Sequence, residues 1–345
     1  MLRTRRLDLR HGRVDLSHGA GGRASAQLID EIFRDAFDNP LLARGDDQAV
    51  FDAPAGRLAI STDGYVISPL FFPGGDIGSL AVHGTINDVA MSGARPLHLA
   101  AGYIIEEGFA LADLHRIAQS MGRAARAAGV AIVTGDTKVV ERGKGDGVFI
   151  TTTGIGIVPP GVTVSADRAT PGDRVILSGC VGDHGVAVMS KRANLGFETA
   201  LLSDTAALHG LVGEMVRVAG AALRVMRDPT RGGLAATLNE IAQRSRVGFL
   251  IDESAIPVRP EVAAACELLG LDPLYVANEG KLVAVVAPDA AAALLAAMRA
   301  HPLGRQATLI GEVIADEQRF VQMTTSFGGG RIVDWLAGEQ LPRIC

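Results

Sequence analysis

Three stretches in the first half of the chain are predicted to be helices, and one of them repeats apolar residues at the spacing of an amphipathic helix. The clearest covers residues 27–37, where one face carries Leu28, Ile29, Ile32, Phe33 and Phe37. The other two cover residues 77–91 and 112–128. Strand-like runs lie between and after them, at residues 58–62, 98–105, 131–134 and 148–158. Strands and helices do not alternate strictly, so the pattern predicts an α+β fold.

The same mixture continues in the second half of the chain. Strands are predicted at residues 174–178, 248–251, 281–286, 307–314 and 331–335, and helices at 205–217, 234–245, 261–269 and 290–300. Proline and glycine cluster in residues 159–173, which indicates a domain boundary near residue 165. We therefore expect domains at 1–165 and 166–335. Residues 336–345 show no helical period and are predicted to be a mobile tail ending in Cys345.

Composition and charge narrow the class of protein. The chain has 345 residues and a formal net charge of −5, without the basic face that nucleic-acid binding requires. No apolar run approaches the ~18 residues of a membrane span, and residues 1–15 lack the apolar core of a signal peptide. Three cysteines without CxxC spacing argue against a disulfide framework or a zinc site. A cytoplasmic protein without nucleic-acid or membrane partners is expected.

A glycine-rich segment, His18-Gly-Ala-Gly-Gly-Arg23, precedes the first predicted helix. In such a segment Gly19, Gly21 and Gly22 could bring backbone N–H groups onto phosphate oxygens. A plain flexible turn is the alternative. The chain contains neither GxxxxGK[ST] nor a GxGxxG that follows a strand, so a P-loop or Rossmann nucleotide site is not predicted.

Acidic residues at turns and probable element ends form a second group of candidates. They are Asp46, Asp47, Asp63, Asp88, Asp136 and Asp228. Magnesium is usually held by one or two carboxylates together with phosphate and water oxygens. Each aspartate alone could be a cap or a surface residue, but several together favour a metal-phosphate site.

Three further residues could take part in catalysis. Lys138 lies two residues after Asp136, on the same face of an extended segment, where it could offset phosphate charge or form a surface salt bridge. Glu279 precedes a predicted strand and could be a general base or a surface residue. Cys345 ends the predicted tail, where packing does not explain it, and a cysteine thiolate is a good nucleophile. An accidental terminal cysteine is the alternative.

In combination these motifs resemble one protein family over nearly the whole chain. The matching stretches are HGAGGR (18–23), the segment 61–96, GDTKVV (135–140), DPTRGGL (228–234), NEGKL (278–282) and PRIC (342–345). The internal motifs are similar to those of the aminoimidazole ribonucleotide synthetase-like (PurM) superfamily. The PRIC ending resembles that of the carbamoyl dehydratases of nickel-iron hydrogenase maturation, the HypE family.

The resemblance implies a PurM-like architecture, in which strands of an N-terminal α/β domain pair across a homodimer and ATP binds near the interface. It further implies that a carbamoyltransferase, HypF, loads a carbamoyl group onto the terminal cysteine. The enzyme then dehydrates this group to a thiocyanate with ATP, and the cyanide passes to iron on the HypC–HypD complex.

The residues that match the family motifs receive roles on the same basis. Asp63, Asp88 and Asp136 are expected at magnesium, and Lys138 on the side of the carbamoyl oxygen. Glu279 is expected to be the base. The glycine-rich loop is expected to close over the phosphates of ATP, for which Asp46, Asp47 and Asp228 are further candidate ligands.

Two other classes of function stay open at this point. A small-molecule ATP-dependent enzyme of the same superfamily would share the internal motifs but gives no reason for PRIC. A selenophosphate synthetase in particular should carry a reactive cysteine or selenocysteine in its N-terminal glycine-rich segment, and residues 10–25 contain no cysteine. A non-catalytic carrier of iron or cyanide would also use Cys345, and ATP turnover distinguishes it from an enzyme.

Overall fold

A mixed sheet of four strands forms the centre of the N-terminal part. The computed structural model describes residues 6–193, 201–335, 338 and 342–345. The strands of the sheet are β1 (Arg57–Tyr65), β4 (Arg95–Glu106), β5 (Ala131–Val140) and β6 (Val148–Val158), in the order β1-β6-β4-β5. A small hairpin consists of β2 (Phe71–Phe72) and β3 (Gly75–Asp76). Strands β1 and β5 are therefore the two edges of this four-stranded sheet.

Among the described residues, helices cover one face of this sheet and leave the other uncovered. They are α1 (Arg23–Leu28), which continues through a π-helical segment (Ile29–Arg34) into α2 (Asp35–Phe37), then α3 (Ile77–Met91) and α4 (Leu111–Ala128). Helix α3 begins at Ile77 because Asp76 Oδ1 accepts hydrogen bonds from the backbone N–H groups of Gly78 and Ser79.

The opposite face of the sheet carries exposed apolar side chains. Leu58, Ile60 and Ile104 expose 53%, 74% and 47% of their surface. Alternation along a strand places Asp136 and Lys138 on this same uncovered face, since they pair in register with Gly102 and Ile104. An apolar sheet face of this kind is typical of a surface that another element or chain covers.

The C-terminal part contains a seven-stranded sheet in the order β13-β12-β9-β11-β7-β10-β8. Its strands are β7 (Arg174–Leu177), β8 (Leu223–Arg227), β9 (Gly248–Asp252), β10 (Val283–Val286), β11 (Thr308–Ile314), β12 (Val321–Thr324) and β13 (Gly330–Ile332). Its helices are α5 (Asp183–Arg192), α6 (His209–Ala219), α7 (Gly233–Ser245), α8 (Pro260–Leu269) and α9 (Pro288–Ala300). Helices α5 and α8 contribute Val186, Val188 and Val262 to the hydrophobic core of the N-terminal part. The predicted α+β fold is confirmed.

Several predicted element ends are wrong, and tertiary contacts explain why. Strands β1 and β5 do not stop before Asp63 and Asp136 but run through them, because both residues pair in the sheet. The helix predicted at 205–217 begins only at His209. The side chain of Asn87 binds the carbonyl of Ala206 and the N–H of Leu208, so these groups are not available to an earlier helical turn.

Other elements had no prediction or differ in extent. Helix α5 and strands β8 and β12 were not predicted. The strand expected at 281–286 is shorter, because Lys281 turns toward Asp204 and the N–H of Leu282 binds Ser178 Oγ. The strand expected at 331–335 is Gly330–Ile332. None of the described helices is long and apolar enough to cross a membrane. The predicted mobile tail covers residues 336–345. Of these, residues 336, 337 and 339–341 lie outside the described residues.

Candidate active site

Four carboxyl groups converge at one end of β1. Asp63 lies on β1, Asp88 in the last turn of α3, Asp228 directly after β8, and Glu279 in the loop before β10. Ser61 Oγ donates a hydrogen bond of 2.7 Å to Asp88 Oδ2, which connects α3 to the strand that carries Asp63. Four elements distant in sequence thus bring together four acidic residues that the sequence analysis had singled out.

Burial and mutual repulsion raise the pKa values of three of these carboxyl groups. Burial, followed by the charge of Asp88, raises the pKa of Asp228 to about 7. The pKa of Asp88 is raised by burial and by Asp63. Glu279 is only 4% exposed, and burial together with Asp228, Asp204 and the other two aspartates raises its pKa far above the ordinary value. A cluster with such pKa values favours the binding of positive charge.

A buried aspartate that the sequence analysis missed holds the Glu279 loop in place. Asp204 accepts hydrogen bonds from the N–H groups of Glu279 and Gly280 and from Lys281 Nζ, the last at 3.0 Å. A side chain on Gly280 would place its Cβ 1.8 Å from the carbonyl oxygen of Asp204, so only glycine fits there. Asn87 Nδ2 donates to the carbonyl of Glu279 from α3. No local sequence pattern signals Asp204, because its partners lie about 75 residues away.

We expect Asp204→Asn to destabilise the protein strongly. The Lys281–Asp204 pair is 13% and 3% exposed, so the substitution leaves a buried ammonium without its counter-charge. Loss of one partner of a buried ion pair costs about 3–5 kcal/mol. Urea unfolding measures the change, with Glu317→Gln on an exposed loop as the control. A loss below about 1 kcal/mol would show that Asp204 does not secure this loop.

The glycine-rich segment and the Asp136–Lys138 pair meet at the other edge of the sheet. Gly19 packs so closely on β5 that a Cβ there would lie 2.8 Å from Val139 N. Gly21 has a φ of +76°, and its N–H donates to Ser25 Oγ, while a Cβ on Gly21 or Gly22 would meet open space. Lys138 Nζ lies 2.6 Å from Asp136 Oδ2 in an exposed ion pair.

A cavity of about 220 Å³ opens between this loop, β5 and the first helices. Its polar side includes His18, Arg34, Asp136 and Lys138. Its apolar side chains are Ile29, Phe33, Phe37, Leu42 and Tyr103. Asp46 and Asp47 lie shortly after Leu42 in an exposed segment and do not line this cavity. The cavity therefore joins an apolar pocket to a charged rim.

Within one chain the structure does not bring Asp136 and Lys138 to the acidic cluster. In register, Asp63 aligns with Thr152, Ala101 and Gly135 across the sheet. Asp63 is thus three strands away from β5, about 14 Å at the usual strand spacing. Asp136, the next residue, points to the opposite face. No group of three metal-ligating side chains forms among the residues that the structure describes.

The last four residues lie inward, against their own chain. The backbone N–H of Val66 donates to the oxygen of Cys345 at 3.1 Å, and the N–H of Ser68 donates to the carbonyl of Arg343 at 3.2 Å. Ile344 is 2% exposed and belongs to the hydrophobic core of the N-terminal part. The residue that binds the backbone oxygen of Cys345, Val66, follows Asp63 by three positions. Cys345 therefore lies beside the segment that continues from β1.

Comparisons with known proteins agree with this architecture. Residues 45–158 match the N-terminal domain and residues 170–324 the C-terminal domain of AIR synthase related proteins. The chain is 70% identical to the carbamoyl dehydratase HypE of Rhizobium leguminosarum bv. viciae, over 99% of this chain and 97% of that protein. A solved structure of the hydrogenase maturation protein HypE in complex with ATP superposes with a TM-score of 0.92 at 51% identity, covering 96% of this chain and 99% of that one. A HypE–HypF complex matches with a TM-score of 0.79 at 50% identity, covering 90% and 99%.

The fold and the two domain matches define a two-domain AIR synthase related protein with a PurM-like architecture. Within that class, the high identity over nearly the full length is decisive. The chain belongs to the HypE family of carbamoyl dehydratases, the enzymes of hydrogenase maturation that the sequence motifs had indicated.

Proposed function

We propose that the protein uses ATP to dehydrate an S-carbamoyl group on its own Cys345 to a thiocyanate, which supplies cyanide for the iron of a nickel-iron hydrogenase. The observation that carries this proposal is the inward position of Cys345 against the segment that follows β1, the strand that also contributes Asp63 to the acidic cluster. The relatives named carbamoyl dehydratase and the HypE structure in complex with ATP support the reaction class and the co-substrate.

The proposed reaction balances without any further reactant. The γ-phosphoryl group of ATP is transferred to the carbamoyl oxygen, which makes that oxygen a good leaving group. Phosphate then leaves with the oxygen while the nitrogen loses two protons, so Cys345–S–C(=O)NH₂ and ATP become Cys345–S–C≡N, ADP and phosphate. The protein must supply a base near the nitrogen and positive charge near the oxygen.

Glu279 and Lys138 are the proposed base and cation. The surroundings that raise the pKa of Glu279 also make its ionised form a stronger base. A cation bound among the neighbouring carboxylates would lower the pKa of Glu279 again. The side chain would then be ionised and able to accept a proton. Lys138 is exposed beside the cavity, where its ammonium can reach an oxygen that develops negative charge.

The carboxylates also fit magnesium, which favours oxygen ligands and tolerates few protein groups. Asp63 and Asp88 would hold it in one chain, and Asp136 would join from the other edge of a sheet. When bound, the ion supplies positive charge that offsets the charge of the phosphates. Phosphate groups of ATP are proposed to lie against Gly19, Gly21 and Gly22. Asp46, Asp47 and Asp228 remain candidate ligands around the nucleotide.

A homodimer joins the two separated halves of the proposed site. The uncovered sheet face carries Leu58 and Ile60 together with Asp136 and Lys138, so a second copy packed there would bring charged groups of one chain toward the other. The exposed apolar residues on this face support such packing. ATP would then bind close to the interface, between the glycine-rich loop and the acidic cluster.

We expect Ile60→Glu to weaken this dimer by at least about 100-fold, because a charge buried without a partner costs roughly 3 kcal/mol or more. Sedimentation equilibrium over a range of concentrations measures the dissociation constant. Leu268→Glu is the matched control, since Leu268 is 70% exposed on α8, away from the sheet. A dimer that Ile60→Glu and Leu268→Glu leave equally stable would place the interface elsewhere.

Two partner proteins follow from the proposed reaction. HypF would deliver the carbamoyl group to Cys345, as the solved HypE–HypF complex supports. The HypC–HypD complex would receive the cyanide on its iron. For both exchanges Cys345 must leave its inward position.

The mass of the C-terminal peptide tests the proposal directly. The full-length protein is incubated with HypF, carbamoyl phosphate and magnesium-ATP. The expected result is a carbamoyl gain on Cys345, followed by ATP-dependent loss of one water. Cys345 that stays unmodified, where another HypE protein reacts, would favour a small-molecule ATP-dependent enzyme of the same superfamily. A carbamoyl group that persists without ATP turnover would favour a non-catalytic carrier.

A further inference from the structure

Two side chains of helix α5 bind the backbone of the tail. His184 Nε2 lies 2.8 Å from the carbonyl oxygen of Ile344. Arg192 donates through Nη2 to the carbonyl of Arg343 at 2.8 Å, and through Nε and Nη2 to the carbonyl of Ser68 at 2.9 and 2.6 Å. The guanidinium therefore connects the tail to the segment beside which it lies. None of these contacts uses the side chain of Cys345.

Neighbouring groups determine which nitrogen of His184 carries its proton. Ser203 Oγ accepts a hydrogen bond from the N–H of Thr205, so its own hydrogen is available for His184 Nδ1 at 2.7 Å. The ring then carries its proton on Nε2 and donates it to the carbonyl of Ile344. The side chain is fully buried, with Phe72 in an edge contact at 5.5 Å, and burial lowers its pKa, so the neutral ring prevails.

The same segment that supports His184 also supports the proposed base. Ser203, the partner of His184, directly precedes Asp204, which binds the Glu279 loop. Its N–H donates to the carbonyl of Pro73 and ties the segment to the N-terminal part. An inward tail and a correctly placed Glu279 therefore depend on one short, well-bonded stretch of backbone.

We propose that His184 and Arg192 are positioning residues that hold the tail inward for dehydration, and that carbamoylation by HypF does not need them. The proposal rests on the proposed function, because it assigns the inward tail to the ATP-dependent step. Contacts to the carbonyls of residues 343 and 344 persist whether Cys345 carries a thiol, a carbamoyl group or a thiocyanate. These two residues set the fraction of time for which Cys345 lies at the site.

Alkylation of Cys345 measures tail position without any catalytic step. Cys180 and Cys266 are buried, so an iodoacetamide pulse followed by peptide mass analysis reports on Cys345. We expect His184→Phe, which keeps a ring against Phe72 but lacks the N–H, to speed alkylation about tenfold, the usual worth of one such hydrogen bond. His184→Gln restores a donor near the position of Nε2 and should return the rate toward that of the wild type.

Arg192 offers a second, independent variant if the buried ring does not tolerate replacement. Arg192→Met should speed alkylation, whereas Lys191→Met on the exposed side of the same helix should leave it unchanged. In the full reaction, both His184→Phe and Arg192→Met should accept a carbamoyl group from HypF at the wild-type rate or faster. Their single-turnover dehydration should slow about tenfold. Thermal melting checks that the fold is retained.

The outcomes separate this inference from the proposed function. Faster alkylation in the variants supports the role of His184 and Arg192 in holding the tail even if the wild type never forms a thiocyanate, in which case only the proposed function fails. Unchanged alkylation and unchanged dehydration in both His184→Phe and Arg192→Met would overturn the inference. A loss of dehydration that His184→Gln does not rescue, without faster alkylation, would also contradict it.

Discussion

Replacement of Glu279 by Gln is expected to slow dehydration of S-carbamoyl-Cys345 by about 10²–10⁴-fold, the usual contribution of a general base. Gln keeps the size of the side chain and removes its ability to take a proton. Glu279 is buried, and its carboxylate is surrounded by Asp228, Asp204, Asp63 and Asp88, so no water replaces it easily. The backbone contacts of the loop to Asp204 do not involve the side chain and should persist.

Single-turnover kinetics on protein carbamoylated beforehand provides the measurement. Carbamoylation of Cys345 by HypF is the internal reference and should proceed at the wild-type rate in Glu279→Gln. Glu267→Gln, an exposed position on α8, is the matched control for loss of one carboxylate. Thiocyanate formed by Glu279→Gln at the wild-type rate would exclude Glu279 as the base.

Cys345→Ala is expected to abolish product formation completely while the fold persists. The reaction then has no sulfur on which to carry the carbamoyl group. The tail keeps its backbone contacts to Val66 and Ser68, and Ile344 keeps its place in the core. We therefore expect the free energy of unfolding to change by less than about 1 kcal/mol.

Peptide mass analysis after the complete reaction measures product, and thermal or urea unfolding measures stability. Cys266→Ala is the control: it removes a buried cysteine of α8 and should leave the modification of Cys345 in place. A melting temperature lowered by well over a few degrees in Cys345→Ala would show that the terminal residue is mainly structural. Product on any other residue of Cys345→Ala would contradict the assignment of Cys345.

Local pattern was sufficient for most of the secondary structure. Helix α3 and strand β6 have the predicted bounds, because α3 is apolar along most of its length and a run of β-branched residues dominates β6. Predictions failed where side chains distant in sequence compete for the backbone, as at residues 205–208, where Asn87 takes two backbone groups. Polar residues inside strands, Asp63 and Asp136 among them, hid the true length of β1 and β5.

The sequence by itself determined the family, the fold class and a set of acidic, glycine and cysteine candidates. This was possible because each motif is a short contiguous stretch that is recognisable without knowledge of the fold. Only the tertiary structure decided which of them meet. It brought Asp63, Asp88, Asp228 and Glu279 together, set Asp136 and Lys138 at the opposite edge of the sheet, and placed His184 and Asp204 beside the tail and the Glu279 loop. These relations depend on strand order and on packing between the two domains, which local periodicity does not encode.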